Sequence, residues 1–169
     1  RLIEQKGHSD LLRTFRDLTE EHDHVHLVVV GDGPLEDELK TLAEDYSIDD
    51  SVTFTGFRSD VASIMQSFDA FVHPSLWEGF GLVFLEAMAV KLPVVATNVS
   101  AIPEIVVDGE TGLLVPPESP DELRNALEKI VTSKDRREEL GNNGYNRLTE
   151  EFSEQAMVDK HLKFYRKLL

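Results

Sequence analysis

The stretch that decides the fold is "DAFVHPSLWEGFGLVFLEAMAVKLPVVATN", which runs from Asp69 to Asn98. It opens and closes with short apolar runs of the kind found in buried strands. Between them, residues 82–90 are apolar at every position except one, and this run predicts a helix. A strand, a helix and a second strand in this order predict one unit of a parallel α/β sheet.

Glu86 is the single charged residue in the predicted helix. A helix that is apolar on every side is normally buried, and a buried carboxylate without a partner is costly. We therefore expect Glu86 to be held by a partner. The alternative is that Glu86 is a partly exposed helix residue with no special role.

Strands and helices alternate along the rest of the chain as well. Apolar runs predict further strands at 25–31, 51–57 and 111–117, and amphipathic segments predict helices at 8–22, 35–48, 60–68, 119–131 and 152–169. This order predicts a doubly wound, Rossmann-like parallel sheet with helices on both faces. The length of 169 residues suits one domain with a sizeable core.

Composition limits the classes of partner. The chain has 17 Lys and Arg against 32 Asp and Glu, a formal net charge of −15. Such a surface repels nucleic acid, so an anionic ligand needs a local cluster of cations and backbone donors. The absence of cysteine excludes disulfides and thiolate chemistry. No apolar run reaches the roughly 18–20 residues that span a bilayer.

A pair of carboxylates marks the predicted site. Glu78 and Glu86 flank a Gly-Phe-Gly sequence, in a loop at the carboxyl end of a strand, where such sheets bind ligands. A helix that begins near Gly81 would present free amides suited to an anion. The arrangement fits a ligand with hydroxyls on both sides of a phosphate, since a carboxylate can accept two hydrogen bonds from a diol such as ribose.

The segment "HPSLWEGFGLVFLEAMA" closely resembles the signature of the retaining glycosyltransferases of family 4, in which seven residues separate two glutamates. Further matches are "RLIEQKG", "VVVGDGPL", "VTFTGF", "LPVVAT", "IPEIV" and "DGETGLLVPP", so the resemblance covers essentially the whole chain. These enzymes have the GT-B fold of two facing Rossmann-like domains, and this chain resembles the C-terminal one.

The resemblance implies that residues 1–169 form a single domain that binds the donor, a UDP- or GDP-sugar, for transfer of a hexose to a hydroxyl acceptor. The family's first glutamate touches the transferred sugar and corresponds to Glu78. The second grips the ribose and corresponds to Glu86. Arg1 and Lys6 match the cations that stabilise the leaving diphosphate, which is electrostatic catalysis.

Other donor contacts follow from the same resemblance. Backbone amides would face the sugar and diphosphate at Phe80, Gly81, Leu82 and Val83. Phe57 and Arg58 would lie beside the nucleotide base, although Arg58 also fits an ordinary loop cation. There is no Asp-x-Asp metal motif and the family needs no bound metal, so we expect no metal and no cofactor besides the donor.

The resemblance also implies parts that this sequence does not contain. These are the N-terminal acceptor domain, which usually holds a catalytic histidine, and a first strand before Arg1. We expect that strand to lie between the strands ending at Val30 and His73, because the first strand of such a sheet is central. We expect the 169 residues alone to be inactive in transfer. The expected location is cytoplasmic, or peripheral at the inner face of the membrane through the N-terminal domain.

Two positions depart from the family pattern. Lys91 stands where a glycine usually closes the buried helix, and "NVSA", residues 98–101, replaces a Gly-Gly loop. A left-handed backbone at Lys91 would cost roughly 1 kcal/mol.

Two other interpretations stay open. One is a nucleotide-sugar binding or scaffold domain without transfer activity. The other is a metal site on His22, His24 and His26, which alternate in the sequence. We favour the interpretation that these histidines bind no metal, because no fourth ligand is evident.

Overall fold

The computed structural model describes residues 1–168 and contains five short parallel strands. They are β1 (Leu27–Val29), β2 (Val52–Phe54), β3 (Phe71–His73), β4 (Val94–Thr97) and β5 (Gly112–Val115). β1 pairs with β2, and β3, β4 and β5 form a second sheet in that order. Every strand predicted from the apolar runs is therefore present.

Eight helices connect and cover the strands in the described part of the chain. They are α1 (His8–Thr19), α2 (Glu36–Asp45), α3 (Val61–Met65), α4 (Leu82–Ala89), α5 (Ile102–Ile105), α6 (Pro120–Thr132), α7 (Lys134–Arg147) and α8 (Glu154–Leu168). Within residues 1–168, no helix combines the length and the apolar content that crossing a membrane requires.

Helices cover both faces of the sheets, as the strand–helix alternation predicted. All four residues of β4 are buried. Val94 and Ala96 belong to one apolar cluster, with residues of α3, α4 and α5. Val95 belongs to a second cluster, with residues of α1, α2 and α6. Successive side chains of a strand point to opposite faces, so the predicted doubly wound α/β architecture is confirmed.

The segment before α1 joins the carboxyl ends of β1 and β3. The N–H of Leu2 donates to the carbonyl of Asp32 at 2.7 Å, and the N–H of Leu76 donates to the carbonyl of Gln5 at 2.8 Å. Among residues 1–168, β1 and β3 each have one partner strand and do not pair with each other. The strand expected between them stays a prediction.

Helix α4 is buried on one side only, which corrects the prediction of burial all round. Phe84, Ala87 and Met88 are fully buried, whereas Leu82 is 65% exposed and Glu86 lies at the surface. Residues four apart share one side of a helix. The exposed side of α4 is therefore an apolar surface that carries Glu86.

Helix α7 was not predicted, because glycines lower helix propensity and two lie inside it. The structure explains them by close packing. A Cβ atom at Gly141 would lie 2.0 Å from the carbonyl oxygen of Lys91, and one at Gly144 would lie 3.2 Å from Cγ of Met88. The glycines thus let α7 lie directly against α4. Lys91 has the expected left-handed backbone, with φ of 60°.

Candidate functional site

The centre of the site is where the segment before α1 meets the loop after β3. Residues Glu4–Lys6 form a single 3₁₀ turn. Besides the backbone bond from Leu76, the side-chain amide of Gln5 donates to the carbonyl of Trp77 at 3.0 Å. Gly7 ends the turn with a left-handed φ of 67°. These bonds hold the turn along the loop and bring Lys6 to Glu78.

Four groups surround the carboxylate of Glu78. Its Oε2 lies 2.5 Å from Nζ of Lys6, 3.0 Å from Nε2 of His73 and 3.5 Å from Oγ of Ser75. Its Oε1 accepts the N–H of Gly79 at 3.1 Å. The side chains of Glu78 and Lys6 are 12% and 18% exposed. The ion pair is therefore largely shielded from water.

The pKa of Glu78 reflects these contacts. Burial alone would raise it, but the hydrogen bonds from Lys6 and His73, together with the charge of Lys6, outweigh burial and lower the pKa to about 2. Burial lowers the pKa of His73, and the bond to Glu78 offsets this only in part. At neutral pH, Glu78 is a carboxylate and His73 is a neutral imidazole that donates from Nε2.

A second partly buried histidine lies near this cluster. Nδ1 of His8, at the start of α1, is buried and has no hydrogen-bond partner among the described residues. Burial, assisted by neighbouring His73 and Lys6, lowers the pKa of His8 to about 4. Both histidines are therefore neutral at pH 7, and Lys6 supplies the positive charge beside Glu78.

The loop after β4 supports the loop that carries Glu78. Oγ1 of Thr97 donates to the carbonyl of Ser75 at 2.5 Å. Oγ of Ser100 accepts the N–H of Glu78 at 3.4 Å, and Ser100 has a left-handed φ of 51°. These supporting roles were not predicted from the sequence. The available signal was position, since these polar residues lie at or just after the carboxyl ends of β3 and β4.

The first backbone amides of α4 lie beside Glu78. The helix begins at Leu82, as predicted, and its N-cap residue Gly81 has a left-handed φ of 74° and no side chain to cap the amides. The first N–H groups of a helix lack partners within it. Phe80 and Leu82 are 47% and 65% exposed. The start of α4 is therefore exposed to solvent next to the Glu78 cluster.

Glu86, which we expected to be buried and to bind a ribose diol, lies at the surface. Its side chain is exposed, and it makes no hydrogen bond or ion pair with any of the described residues. The prediction that Glu86 is buried was wrong, because one side of α4 is exposed to solvent. Glu86 lies on that side, one turn beyond Leu82. Nothing within residues 1–168 competes for its oxygens.

Two other predicted residues, Arg1 and Arg58, lie near the loops that follow β1 and β2. Arg1 is exposed, and its backbone nitrogen lies near Gly31, just after β1. The N–H of Gly31 donates to the carbonyl of Gly56 at 2.9 Å, which ties the loops after β1 and β2 together. Two residues further on, Arg58 makes two bonds of 2.9 and 2.7 Å to Asp60.

Neither arginine is in contact with Glu78 in this structure. The guanidinium of Arg58 is already paired, which favours the interpretation as a loop cation. The adjacent Phe57 is 74% exposed and available as an apolar surface.

The three alternating histidines do not converge on a metal site. His26 bonds to Oγ1 of Thr53, whereas His22 bonds to both oxygens of Glu128. Glu21, His22 and Glu128 do bring their ligand atoms within 4.8 Å of one another. However, Glu21 also pairs with Arg124, so these side chains already bind one another at the far end of α1 from Lys6.

Comparison with known proteins gives a family and a fold. The family model for glycosyl transferases group 1 matches residues 1–147. The capsular polysaccharide biosynthesis glycosyltransferase CapM of Staphylococcus aureus is 31% identical, over all of this chain and 45% of its own length. A GDP-mannose-dependent alpha-(1-6)-phosphatidylinositol monomannoside mannosyltransferase of Mycobacterium tuberculosis is 32% identical, over 98% of this chain and 46% of its own length. The chain thus spans less than half the length of these relatives.

Solved structures agree with this comparison. The C-terminal domain of the group 1 glycosyl transferase LpcC from Francisella tularensis has a TM-score of 0.84 and 30% identity, covering 91% of this chain and 83% of that domain. Anabaena HepE in complex with UDP has a TM-score of 0.87 and 26% identity, covering 100% of this chain and 47% of HepE. The chain belongs to the glycosyl transferases group 1 family and has the fold of a GT-B C-terminal domain.

Proposed function

We propose that this chain is the donor-binding domain of a retaining glycosyltransferase, which transfers a hexose from a nucleoside diphosphate sugar to a hydroxyl acceptor. One observation carries the proposal. A shielded Lys6–Glu78 pair, 2.5 Å apart, lies beside the uncapped first amides of α4. A cation and free amides suit a diphosphate, and a carboxylate next to them suits the hydroxyls of the attached sugar.

Every predicted site residue except Arg58 has a role in this proposal. Lys6, together with Arg1, binds the diphosphate. The amides of the segment 80–83 complete the anion site. Glu78 accepts hydrogen bonds from the sugar, and Glu86 accepts them from the ribose diol at the open side of α4. Phe57 offers its exposed ring to the nucleotide base.

The proposed chemistry is substitution at the anomeric carbon. The bond from that carbon to the diphosphate oxygen breaks, and negative charge develops on the leaving diphosphate. Lys6, Arg1 and the α4 amides stabilise that charge where it forms. The acceptor oxygen bonds to the anomeric carbon from the face that the diphosphate leaves, and the hydroxyl proton passes to the departing diphosphate. The product thus keeps the anomeric configuration.

The relatives support the choice of donor. HepE has been solved in complex with UDP and with UDP-glucose, and the mycobacterial relative is named as GDP-mannose-dependent. We therefore propose a UDP- or GDP-hexose as the donor, with no metal or other cofactor. Because the chain spans less than half of its relatives, we also propose that an N-terminal domain holds the acceptor. Such a protein would act in the cytoplasm or at the inner face of the membrane.

The proposal is tested by calorimetric titration with UDP, GDP, UDP-glucose and GDP-mannose. We expect one nucleotide series to bind, and Lys6→Ala to weaken that binding about tenfold, because a charge-assisted bond to phosphate is lost. Lys134→Ala is the matched control, since Lys134 is a surface lysine whose side chain is 77% exposed. Failure of every nucleotide to bind the folded wild type would refute the proposal.

The alternative function is nucleotide-sugar binding without transfer. The same titration would succeed in both cases, so a second assay is needed. A longer form of the protein, with the proposed N-terminal domain, should release nucleoside diphosphate in the presence of donor and acceptor. Binding without any such turnover would favour the scaffold.

A further inference from the structure

The carboxylate of Glu78 already holds the groups that a bound diphosphate would need. It lies 2.5 Å from the ammonium of Lys6, and it accepts the N–H of Gly79, at the start of the amide segment. A diphosphate oxygen is also an anionic acceptor and would bind the same kinds of donor. In the free chain, the carboxylate of Glu78 therefore binds the donors that a diphosphate would bind.

Glu78 also has little capacity left for a sugar. An ionised carboxylate offers about four acceptor positions. Oε2 is in contact with Lys6, His73 and Ser75, and Oε1 is in contact with Gly79. Oε2 can therefore bond to a sugar hydroxyl only if one of its three donors leaves, whereas Oε1 keeps one position open. The natural candidate to leave Oε2 is Lys6, because a diphosphate can take it.

We propose that Glu78 competes internally with the diphosphate for Lys6, so that the chain binds a complete nucleotide sugar in preference to the free nucleoside diphosphate. This inference rests on the proposed function. A free diphosphate that takes Lys6 leaves a shielded carboxylate without its cation, which is unfavourable. A nucleotide sugar takes Lys6 as well, but its hydroxyls donate to Glu78 in exchange.

The preference has a consequence for turnover. Once the hexose has moved to the acceptor, no sugar hydroxyl remains on Glu78. The carboxylate then regains Lys6, and this exchange favours release of the nucleoside diphosphate. His73 and Ser75 hold Oε2 from the β3 side, so the carboxylate stays in place while Lys6 changes partner.

The experiment compares the affinities for free nucleotide and nucleotide sugar. The wild type, Glu78→Gln, Lys6→Ala and the double variant are titrated with UDP and UDP-glucose, and with GDP and GDP-mannose. Glu110→Gln is the matched control, because it removes the same charge from an exposed residue outside the site. Affinities are expressed per folded molecule, and thermal melts give the folded fraction.

We expect Glu78→Gln to bind the free nucleoside diphosphate about tenfold more tightly than wild type, because Lys6 is released. Its preference for the nucleotide sugar should disappear. The double variant should show no gain over Lys6→Ala, and Glu110→Gln should bind like the wild type. If Glu78→Gln does not fold, Glu78→Asp replaces it, since the shorter side chain withdraws the carboxylate from Lys6.

The outcomes separate this inference from the proposed function. Wild-type binding of a nucleotide, with equal or weaker binding of the free diphosphate by the Glu78 variant, would overturn the inference and leave the proposed function standing. A gain that persists in the double variant would also overturn it, because the gain would not depend on Lys6. Failure of all the folded variants to bind any nucleotide would overturn both.

Discussion

Gly7 lies so close to Pro74 that a Cβ atom built on Gly7 would stand 2.1 Å from the Pro74 carbonyl oxygen. Gly7 also has a left-handed φ of 67°, and it directly follows Lys6. We predict that Gly7→Ala destabilises the chain by about 3 kcal/mol, from overpacking and backbone strain together. It should also weaken nucleotide binding, because the 3₁₀ turn that carries Lys6 must shift. Urea unfolding and calorimetry measure the two effects.

The control for this change is Gly109→Ala. Gly109 has a similar left-handed φ of 74°, but a Cβ atom there would meet nothing within 4 Å. The control should therefore lose only about 1 kcal/mol, from backbone strain, and should keep full nucleotide affinity. Equal losses of stability in the two variants would show that the close contact with Pro74 adds nothing to the destabilisation by Gly7→Ala.

The partly buried imidazole of His8 predicts a loss of stability in acid. Its pKa is about 4 in the folded chain, below the ordinary value of 6.5. Between these values the unfolded chain binds a proton that the folded chain does not, so stability falls as pH falls from about 6.5 to 4. The slope from one such group is at most about 1.4 kcal/mol per pH unit. His73 adds to it in the same direction.

We predict that His8→Leu flattens this part of the stability profile, because leucine does not titrate. The measurement is the free energy of unfolding in urea at several pH values between 6.5 and 4.5. His26→Gln is the control, since His26 is exposed and lies away from the cluster. A slope as steep in His8→Leu as in the wild type would contradict the assignment to His8.

The sequence predicted the fold well where local pattern and packing agree. All five strands and the long amphipathic helices were expected from the spacing of the apolar residues and the length of each segment. Helix α7 was not, because its glycines lower helix propensity and are explained only by the close approach of α4. The burial of α4 was overestimated for a related reason. A sequence shows that a helix is apolar, but it does not show which side its neighbours leave open.

The main residues of the candidate site were predicted, but the contacts between them were not. Position at the carboxyl edge and the family resemblance singled out Lys6 and Glu78, which the structure brings to 2.5 Å. The roles of His73 and Ser100 could not be predicted, since they depend on loop geometry. The same holds for Arg58, whose pairing with Asp60 is a local conformational choice.

Catalysis should require more than these 169 residues. Transfer needs the acceptor to be held against the anomeric carbon, and this positioning supplies much of the rate. We predict that the chain alone binds the donor but transfers no hexose, apart from slow hydrolysis of the donor. Release of nucleoside diphosphate, followed with and without simple hydroxyl acceptors, measures this. Robust acceptor-dependent transfer by the 169 residues would refute the need for a second domain.

The exposed position of Glu86 leads to a prediction that separates binding from stability. Glu86 makes no bond within the described residues, so Glu86→Gln should leave the melting temperature unchanged. If Glu86 grips the ribose diol, nucleotide affinity should fall about tenfold, because a charge-assisted bond contributes about 1.5–3 kcal/mol. Calorimetry with a nucleoside diphosphate, beside thermal melts, measures both. Glu44→Gln is the control, since Glu44 is also an exposed helical glutamate.

A 2′,3′-dideoxy nucleotide identifies the group that Glu86 binds. It lacks the diol, so it should bind the wild type weakly and lose little more affinity in Glu86→Gln. The two changes remove the same interaction, and their effects should therefore not add. Additive losses would mean that Glu86 binds another part of the nucleotide. Equal wild-type affinity for the ribose and dideoxy forms would rule out the ribose assignment, because the diol would then contribute nothing for Glu86 to hold.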